Sequence, residues 1–397
     1  MSEVRPFEVD IPDQPLDDLR RRIAATRLPP EELVDDSSQG VQLATTEALL
    51  SYWGVDYDLR RAQARLNAVP QFLTEIDGLD IHFIHVKSGH EGALPLIVTH
   101  GWPGSVIEML EAIGPLTDPT AHGGAPEDAF DLVVPSLPGY GFSGQPTELG
   151  WDAGRVAGAW TELMDRLGYD RYVAPGGDVG AAVTDTLAIL APEGLAGIHL
   201  NFLRRPPPEI AAAVFGGAPA PEGLSEEEQS AFVPFARQFR RGYIAEQGQS
   251  PQTIGYALTD SPAGLAGWML DHDTDAYEKI SRAFVDGEPS GGLTRDSVLD
   301  NITLYWLTGT GASAARIYWE GQNAAAAGPA QTPPEVSLPV AFTVFPGEIF
   351  RAPRAWAETV YPNLTYFNEV DRGGHFAAWE EPLLFAAELR SAFRSLR

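Results

Sequence analysis

Between Leu94 and Leu200 short apolar runs alternate with amphipathic stretches, and no other feature of the chain narrows its fold as much. Leu94–Thr99, Phe130–Val134, Tyr172–Ala174 and Leu195–Leu200 are almost wholly apolar, as strands buried on both faces must be. Helical spacing fills the gaps at Val106–Ile113, Asp152–Leu167 and Val179–Leu190. Repeated strand–helix–strand units set neighbouring strands parallel, with helices on both faces of one sheet. The expected class is α/β with a mostly parallel central sheet. Ahead of it, Gln71–Ile76 and Leu79–Val86 alternate apolar and polar residues around Asp77-Gly78, a hairpin signal.

Three regions follow from the same reading. Residues 1–70 form a helical extension: one helix opens at Asp17 and stops before Pro29-Pro30, with others at Gln42–Tyr52 and Leu59–Asn67. The α/β core occupies 71–203 and 311–397. Between its halves, 204–310 reads as a helical cap insertion opened by Pro206-Pro207-Pro208. The core resumes with a strand at Val340–Phe345, a helix at Pro353–Tyr361, a strand at Thr365–Val370 and one final helix from Ala377 to Arg397. Ala324–Pro334 is a low-complexity loop.

Composition excludes several functions. The chain has 397 residues and no cysteine, which removes disulfides, thiol catalysis, cysteine-ligated zinc and iron–sulfur clusters. Its 55 acidic against 27 basic residues give a net charge of −28, which repels phosphate backbones and argues against nucleic-acid partners. Met1–Asp10 lacks the basic start and apolar run of a signal peptide, and no run of membrane-spanning length occurs, so a cytoplasmic protein without membrane attachment is expected. Arginine in place of lysine, with abundant alanine, glycine and proline, points to a GC-rich bacterial genome.

The sharpest chemical signal is Gly176-Gly177-Asp178-Val179-Gly180, directly after a strand and directly before a helix. Small residues around a central nucleophile in that context make the sharp turn known as a nucleophile elbow, the mark of the α/β-hydrolase fold. The competing interpretation is that Asp178 merely caps the helix. An aspartate nucleophile is ionised at neutral pH and suits displacement at saturated carbon, giving an alkyl ester. Hydrolysing that ester requires a base, an acid to orient it, and an oxyanion hole. His375, in Arg372-Gly373-Gly374-His375-Phe376, and Glu348, in Phe345-Pro346-Gly347-Glu348, follow late strands in the order this fold uses. Taken singly, each could be a solvated or capping residue. Asp371 is a rival acid, too close in sequence to His375 to orient it. Backbone N–H groups of Trp102, in His100-Gly101-Trp102-Pro103-Gly104-Ser105, and of Val179 are the expected oxyanion donors. His100 reads as a loop-shaping hydrogen-bonder rather than a second base. The eight histidines show no metal-ligand spacing, and His82 and His85 on one strand face opposite sides, so neither metal nor cofactor is expected.

These residues resemble the epoxide hydrolases of the microsomal type, α/β-hydrolases with an N-terminal extension. The resemblance runs over nearly the whole chain. It includes Leu16-Asp17-Asp18-Leu19-Arg20-Arg21-Arg22, the His100–Ser105 loop, Pro138-Gly139-Tyr140-Gly141-Phe142-Ser143, Asp260-Ser261-Pro262, Tyr305-Trp306-Leu307-Thr308-Gly309-Thr310 and the His375 segment. It implies Asp178 as nucleophile, His375 as base and Glu348 as orienting acid. It further implies two ring-opening tyrosines, Tyr243 and Tyr318, with Tyr256 and Tyr305 as rivals. The family usually has tryptophan where this chain has Val179, which makes one wall of the pocket smaller. The hydrophobic helix that begins membrane-anchored members is absent.

The implied reaction opens an apolar or aryl epoxide to a vicinal diol through an aspartyl ester, with a place in specialised-metabolite biosynthesis suggested by the bacterial composition. The expected partner is a small-molecule epoxide, met by a monomer or a homo-oligomer. The alternatives are a haloalkane dehalogenase, disfavoured because Val179 offers no indole to a halide, and a silent scaffold, disfavoured because all three catalytic candidates are present. A serine esterase lacks its elbow serine. Phe232, Phe235, Phe239, Trp268 and Met269 in the insertion form either an apolar wall for substrate or ordinary helix packing.

Overall fold

A computed structural model describes residues 3–239, 241–327 and 334–397. Nine strands form one sheet: β1 (Arg5–Phe7), β2 (Gln71–Ile76), β3 (Leu79–Val86), β4 (Leu94–Ile97), β5 (Phe130–Pro135), β6 (Tyr172–Gly176), β7 (Leu195–Leu200), β8 (Val340–Val344) and β9 (Leu364–Glu369). Their spatial order is β1-β2-β3-β5-β4-β6-β7-β8-β9. The first three strands pair antiparallel, as do β3 and β5, and every pair from β5 to β9 is parallel. Asp77 and Gly78 both take positive φ, 55° and 77°, which is what a two-residue hairpin turn matching the strand twist demands.

Alternation along the central strands divides the core in two. Ile97, Val133, Ala174 and Ile198 join the helices Ala153–Arg166 and Asp178–Leu190 in one cluster. Leu96, Val98, Leu132, Val134 and Val173 point the other way, onto Val106–Leu116 and Phe385–Phe393. Two-sided burial is why these runs are continuously apolar.

Several expectations need correction. β1 is a strand in the otherwise helical extension, paired at the edge through Pro6 and Phe72. The first helix spans Asp13–Ala24, and buries Leu16, Leu19 and Ile23 as one stripe. Val106–Ala112 is a 3₁₀ segment, continued by an α-helix at Ile113–Thr117. The final helix is broken into Ala377–Glu380 and Pro382–Ala392, because Pro382 drives Glu381 out of the helical region, to φ −135° and ψ 64°. Most of the Ala324–Pro334 loop lies outside the described residues, and Ala324 itself belongs to a helix, Gly311–Ala327.

Between β7 and β8 the described residues hold eight α-helices, the first at Pro208–Gly216 and the last at Gly311–Ala327. That last helix packs on Gly242–Gln249 and Pro251–Asp260, within the insertion. Proline opens three of the eight at its first turn, one of them also capped by Ser261, and Ser225 and Asp273 accept from backbone N–H groups at the starts of two others. The helix Arg295–Thr308 has two bound faces. Toward the extension, Asp300 is fully buried and accepts from Tyr57, Arg61 and Arg65 at 2.8, 2.6 and 2.5 Å. Trp53 donates to Thr303 and Tyr52 to Asp296. Toward the core, Asn301 donates to the Pro103 carbonyl and Tyr305 to the Gly104 carbonyl. None of the described helices is long and apolar enough to cross a membrane.

Candidate active site

β6 ends at Gly176, and Asp178 turns the chain into the next helix with φ of +48°, in the left-handed region that is strained for a residue with a side chain. The small residues around it are sterically required. A Cβ on Gly180 would overlap the Thr99 carbonyl oxygen, one on Gly176 the Gly180 carbonyl, and one on Gly101 the Asp178 carboxyl itself. The elbow therefore presents a carboxylate at the C-terminal end of the sheet. Trp102 N–H donates to Asp178 Oδ1 at 2.8 Å. The Val179 amide, next along the elbow, makes no such bond to the resting carboxylate.

Glu348 and His375 come from neighbouring loops after β8 and β9. Gly347 and Gly374 form a parallel bridge there, with the Gly347 N–H donating to the Gly373 carbonyl at 3.0 Å. His375 Nδ1 donates to Glu348 Oε1 at 2.5 Å, and its Nε2 stands 3.5 Å from Asp178 Oδ2. Asp371 is exposed and pairs with Arg372, so it does not serve His375. Both catalytic candidates are strongly polarised. Burial pushes the Asp178 carboxyl up, but His272 and His375 outweigh it and hold the group far below the usual carboxylate range. Burial likewise opposes charge on His375, yet Glu348 and Asp178 raise it well above the ordinary imidazole value. The resting arrangement is an ion pair.

Tyr243 and Tyr318 stand over this pair with Trp102. The Tyr243 ring stacks on the Trp102 indole at 4.9 Å, and Tyr318 meets both rings edge-on at about 6 Å. Tyr243 Oη accepts from Gln238 at 2.7 Å. Burial and the nearby Asp178 charge push both phenols far above the usual tyrosine range, so both are neutral donors. The rivals are elsewhere engaged: Tyr256 is exposed and Tyr305 holds the Gly104 carbonyl. His100 accepts from Leu137 N–H and donates to the Gly101 carbonyl, which shapes the loop, and burial pushes it down to about 4.

Three groups at the site had no place in the sequence reading. His272 Nε2 lies 3.7 Å from Asp178 Oδ2, while its Nδ1 faces Asp273 at 3.2 Å. Its ring lies 4.6 Å from that of His375. Asp178, His272 and His375 bring their ligand atoms within 4.8 Å of one another, close enough to hold a cation, although carboxylate attack needs none. Glu108 is the third, buried and lining one small cavity with Asp178, where desolvation pushes it up to about 8. Phe232, Phe235 and Phe239 pack with Phe215, Phe350 and Trp356, Trp268 donates to Gln247, and Met269 lines a small cavity with His272.

Sheet order, elbow and late acid–histidine pair define an α/β-hydrolase. Known proteins narrow the class. Residues 4–109 match the family model described as the epoxide hydrolase N terminus. A Stigmatella aurantiaca protein named "Putative epoxide hydrolase" is 52% identical, covering 99% of this chain and 86% of its own. Epoxide hydrolase 1 of Sus scrofa is 36% identical over 98% of this chain and 88% of its own. The crystal structure of juvenile hormone epoxide hydrolase from Bombyx mori superposes with a TM-score of 0.84, at 31% identity, covering all of this chain and 96% of that one. The chain belongs to the epoxide hydrolases of the microsomal type, enzymes that hydrolyse a strained cyclic ether.

Proposed function

We propose that this enzyme opens an apolar or aryl epoxide through an ester on Asp178 and then hydrolyses that ester with water activated by His375. The observation that carries the reading is the convergence of Trp102 N–H on Oδ1 and His375 Nε2 on Oδ2 of a single strained carboxylate. In the first step Oδ2 attacks a ring carbon and the C–O bond of the ring breaks. Tyr243 or Tyr318 gives its proton to the departing oxygen, which would otherwise leave as an alkoxide. Esterification removes the Asp178 charge that held His375 protonated. The proton that His375 then gives up replaces the one the tyrosine donated, which leaves a neutral phenol and a neutral imidazole base.

In the second step water adds to Cγ and passes one proton to His375 Nε2, with Glu348 steadying the imidazolium. The negative charge settles on Oδ1, against the amides of Trp102 and Val179. Collapse breaks the ester bond, and the leaving oxygen takes the proton from His375. The remaining water proton, left on Asp178, returns to His375 and restores the ion pair. Trp102, Tyr243, Tyr318, Phe202 and Phe376 surround the carboxylate and its base, which supports a flat or apolar substrate. The −28 charge disfavours polyanionic partners and so supports a small-molecule epoxide as the partner at this site.

Trapping tests the reading. His375→Gln protein mixed with styrene oxide should carry one intact epoxide mass on the peptide containing Asp178, and Asp178→Ala protein should carry none. An active wild type whose His375→Gln form never gains that mass would overturn the covalent route.

A further inference from the structure

Beside Asp178 lies a cavity of about 30 Å³ whose wall includes Gly101, Glu108, Gly177, Asp178, Asn201 and His375, with apolar residues such as Met109 and Phe385, and neither of the two tyrosines. It is larger than the roughly 10–15 Å³ that one water requires, and its walls are polar enough to hold one. On two of these residues a buried atom makes no hydrogen bond: Glu108 Oε1, and His375 Nε2, which has only its 3.5 Å approach to Asp178 Oδ2. A buried polar atom without a partner is costly, and two of them on residues that line one small cavity beside Cγ of Asp178 call for a shared partner. Glu108 is fixed there from both sides: its N–H donates to the Ser105 carbonyl, and its carboxyl fills the space where a Cβ on Gly104 would stand.

We propose that Glu108 is a catalytic residue of the ester-hydrolysis step, seating the attacking water between its own Oε1 and His375 Nε2 against Cγ of Asp178. The inference rests on the two-step reading above and adds to it where the nucleophilic water sits. The water directs one O–H to each of the two orphaned atoms, which turns its oxygen lone pair toward the ester carbon. His375 takes the first proton as the new C–O bond forms. The second stays on that oxygen, hydrogen-bonded to Glu108, until the ester bond breaks and Asp178 returns it to His375. Glu108 itself neither gains nor loses a proton. Ring opening makes no use of it.

Rapid-quench kinetics with styrene oxide separate the two steps. Glu108→Met keeps length and volume and removes the accepting oxygen. It should slow ester hydrolysis by at least about tenfold, leave ring opening within about threefold of wild type, and let the ester accumulate on Asp178. Glu108→Gln keeps an accepting oxygen and should fall between the two, which simple loss of packing would not produce. Unslowed hydrolysis in Glu108→Met protein, or equal slowing of both steps, would overturn the inference alone. His375→Gln run alongside separates the cases, because an absent ester there removes the two-step reading itself. Replacing a buried acid by a thioether should not prevent folding, and a thermal melt of each variant verifies it.

Discussion

Glu108 makes the protein's stability depend on pH in a way that one substitution should erase. Its carboxyl has an ordinary value of 4.5 and is pushed up to about 8 by burial. Between those values the unfolded chain carries it ionised and the folded chain carries it neutral, so folding takes up a proton. The sign follows: a carboxyl raised by folding makes the native state lose stability as pH rises from 4.5 toward 8, with no further loss above 8. The full slope is about 1.4 kcal/mol per pH unit, and between pH 5 and 7 the loss is about 2.5 kcal/mol after allowing for partial ionisation at pH 5. Glu108→Gln has the same shape and nothing to titrate. Urea unfolding of both proteins at pH 5, 6 and 7 should show the variant gaining on wild type by that amount across the range, whatever their offset at pH 5. Parallel stability curves would refute the assignment of a neutral buried carboxyl, because every other group is common to both proteins.

Three further outcomes follow from the geometry. In Asp178→Asn protein the charge that helps raise His375 is gone, so NMR titration of that imidazole should show a lower pKa than in wild type; an unchanged value would mean the two groups do not interact. Gly180→Ala forces a methyl onto the Thr99 carbonyl and should abolish epoxide turnover, with a lower Tm; a fully active variant would contradict the elbow as described. Asp300→Asn removes the charge that Arg61 and Arg65 both contact and should destabilise the protein by about 1–3 kcal/mol in denaturant unfolding, whereas a cost near zero would mark the cluster as dispensable.

The sheet could be read from sequence because its strands are buried on both faces, so their identity depends on composition and needs no register. β2 and β3 were legible to the residue since a two-residue turn fixes both ends. β1 escaped because three residues cannot display a period, and its strand state depends wholly on pairing with β2. Asp178 announced itself locally, through the glycines its strained turn demands. Glu348 and His375 became legible through chain order at strand ends, which Asp178 had already made meaningful. His272 had no such handle. It approaches Asp178 only because the helix Pro262–Leu270 ends where it does, although Asp271-His272-Asp273 directly after an apolar helix was a signal available to be weighed. Glu108 stood as a lone acid in Val106-Ile107-Glu108-Met109-Leu110, an anomaly that composition alone could have flagged.

The double-faced helix Arg295–Thr308 changes how the cap can be understood. One side of it grips the N-terminal extension and the other grips the loop whose Trp102 amide faces Asp178. A cap that swung open as a rigid flap would drag Pro103 and Gly104 with it and pull the Trp102 amide off the Asp178 carboxylate. That amide keeps its place only if this helix, and the extension bound to it, stay with the core. The extension, remote from Asp178 and its partners, thereby becomes a keystone: through one helix it is tied to the loop that carries Trp102.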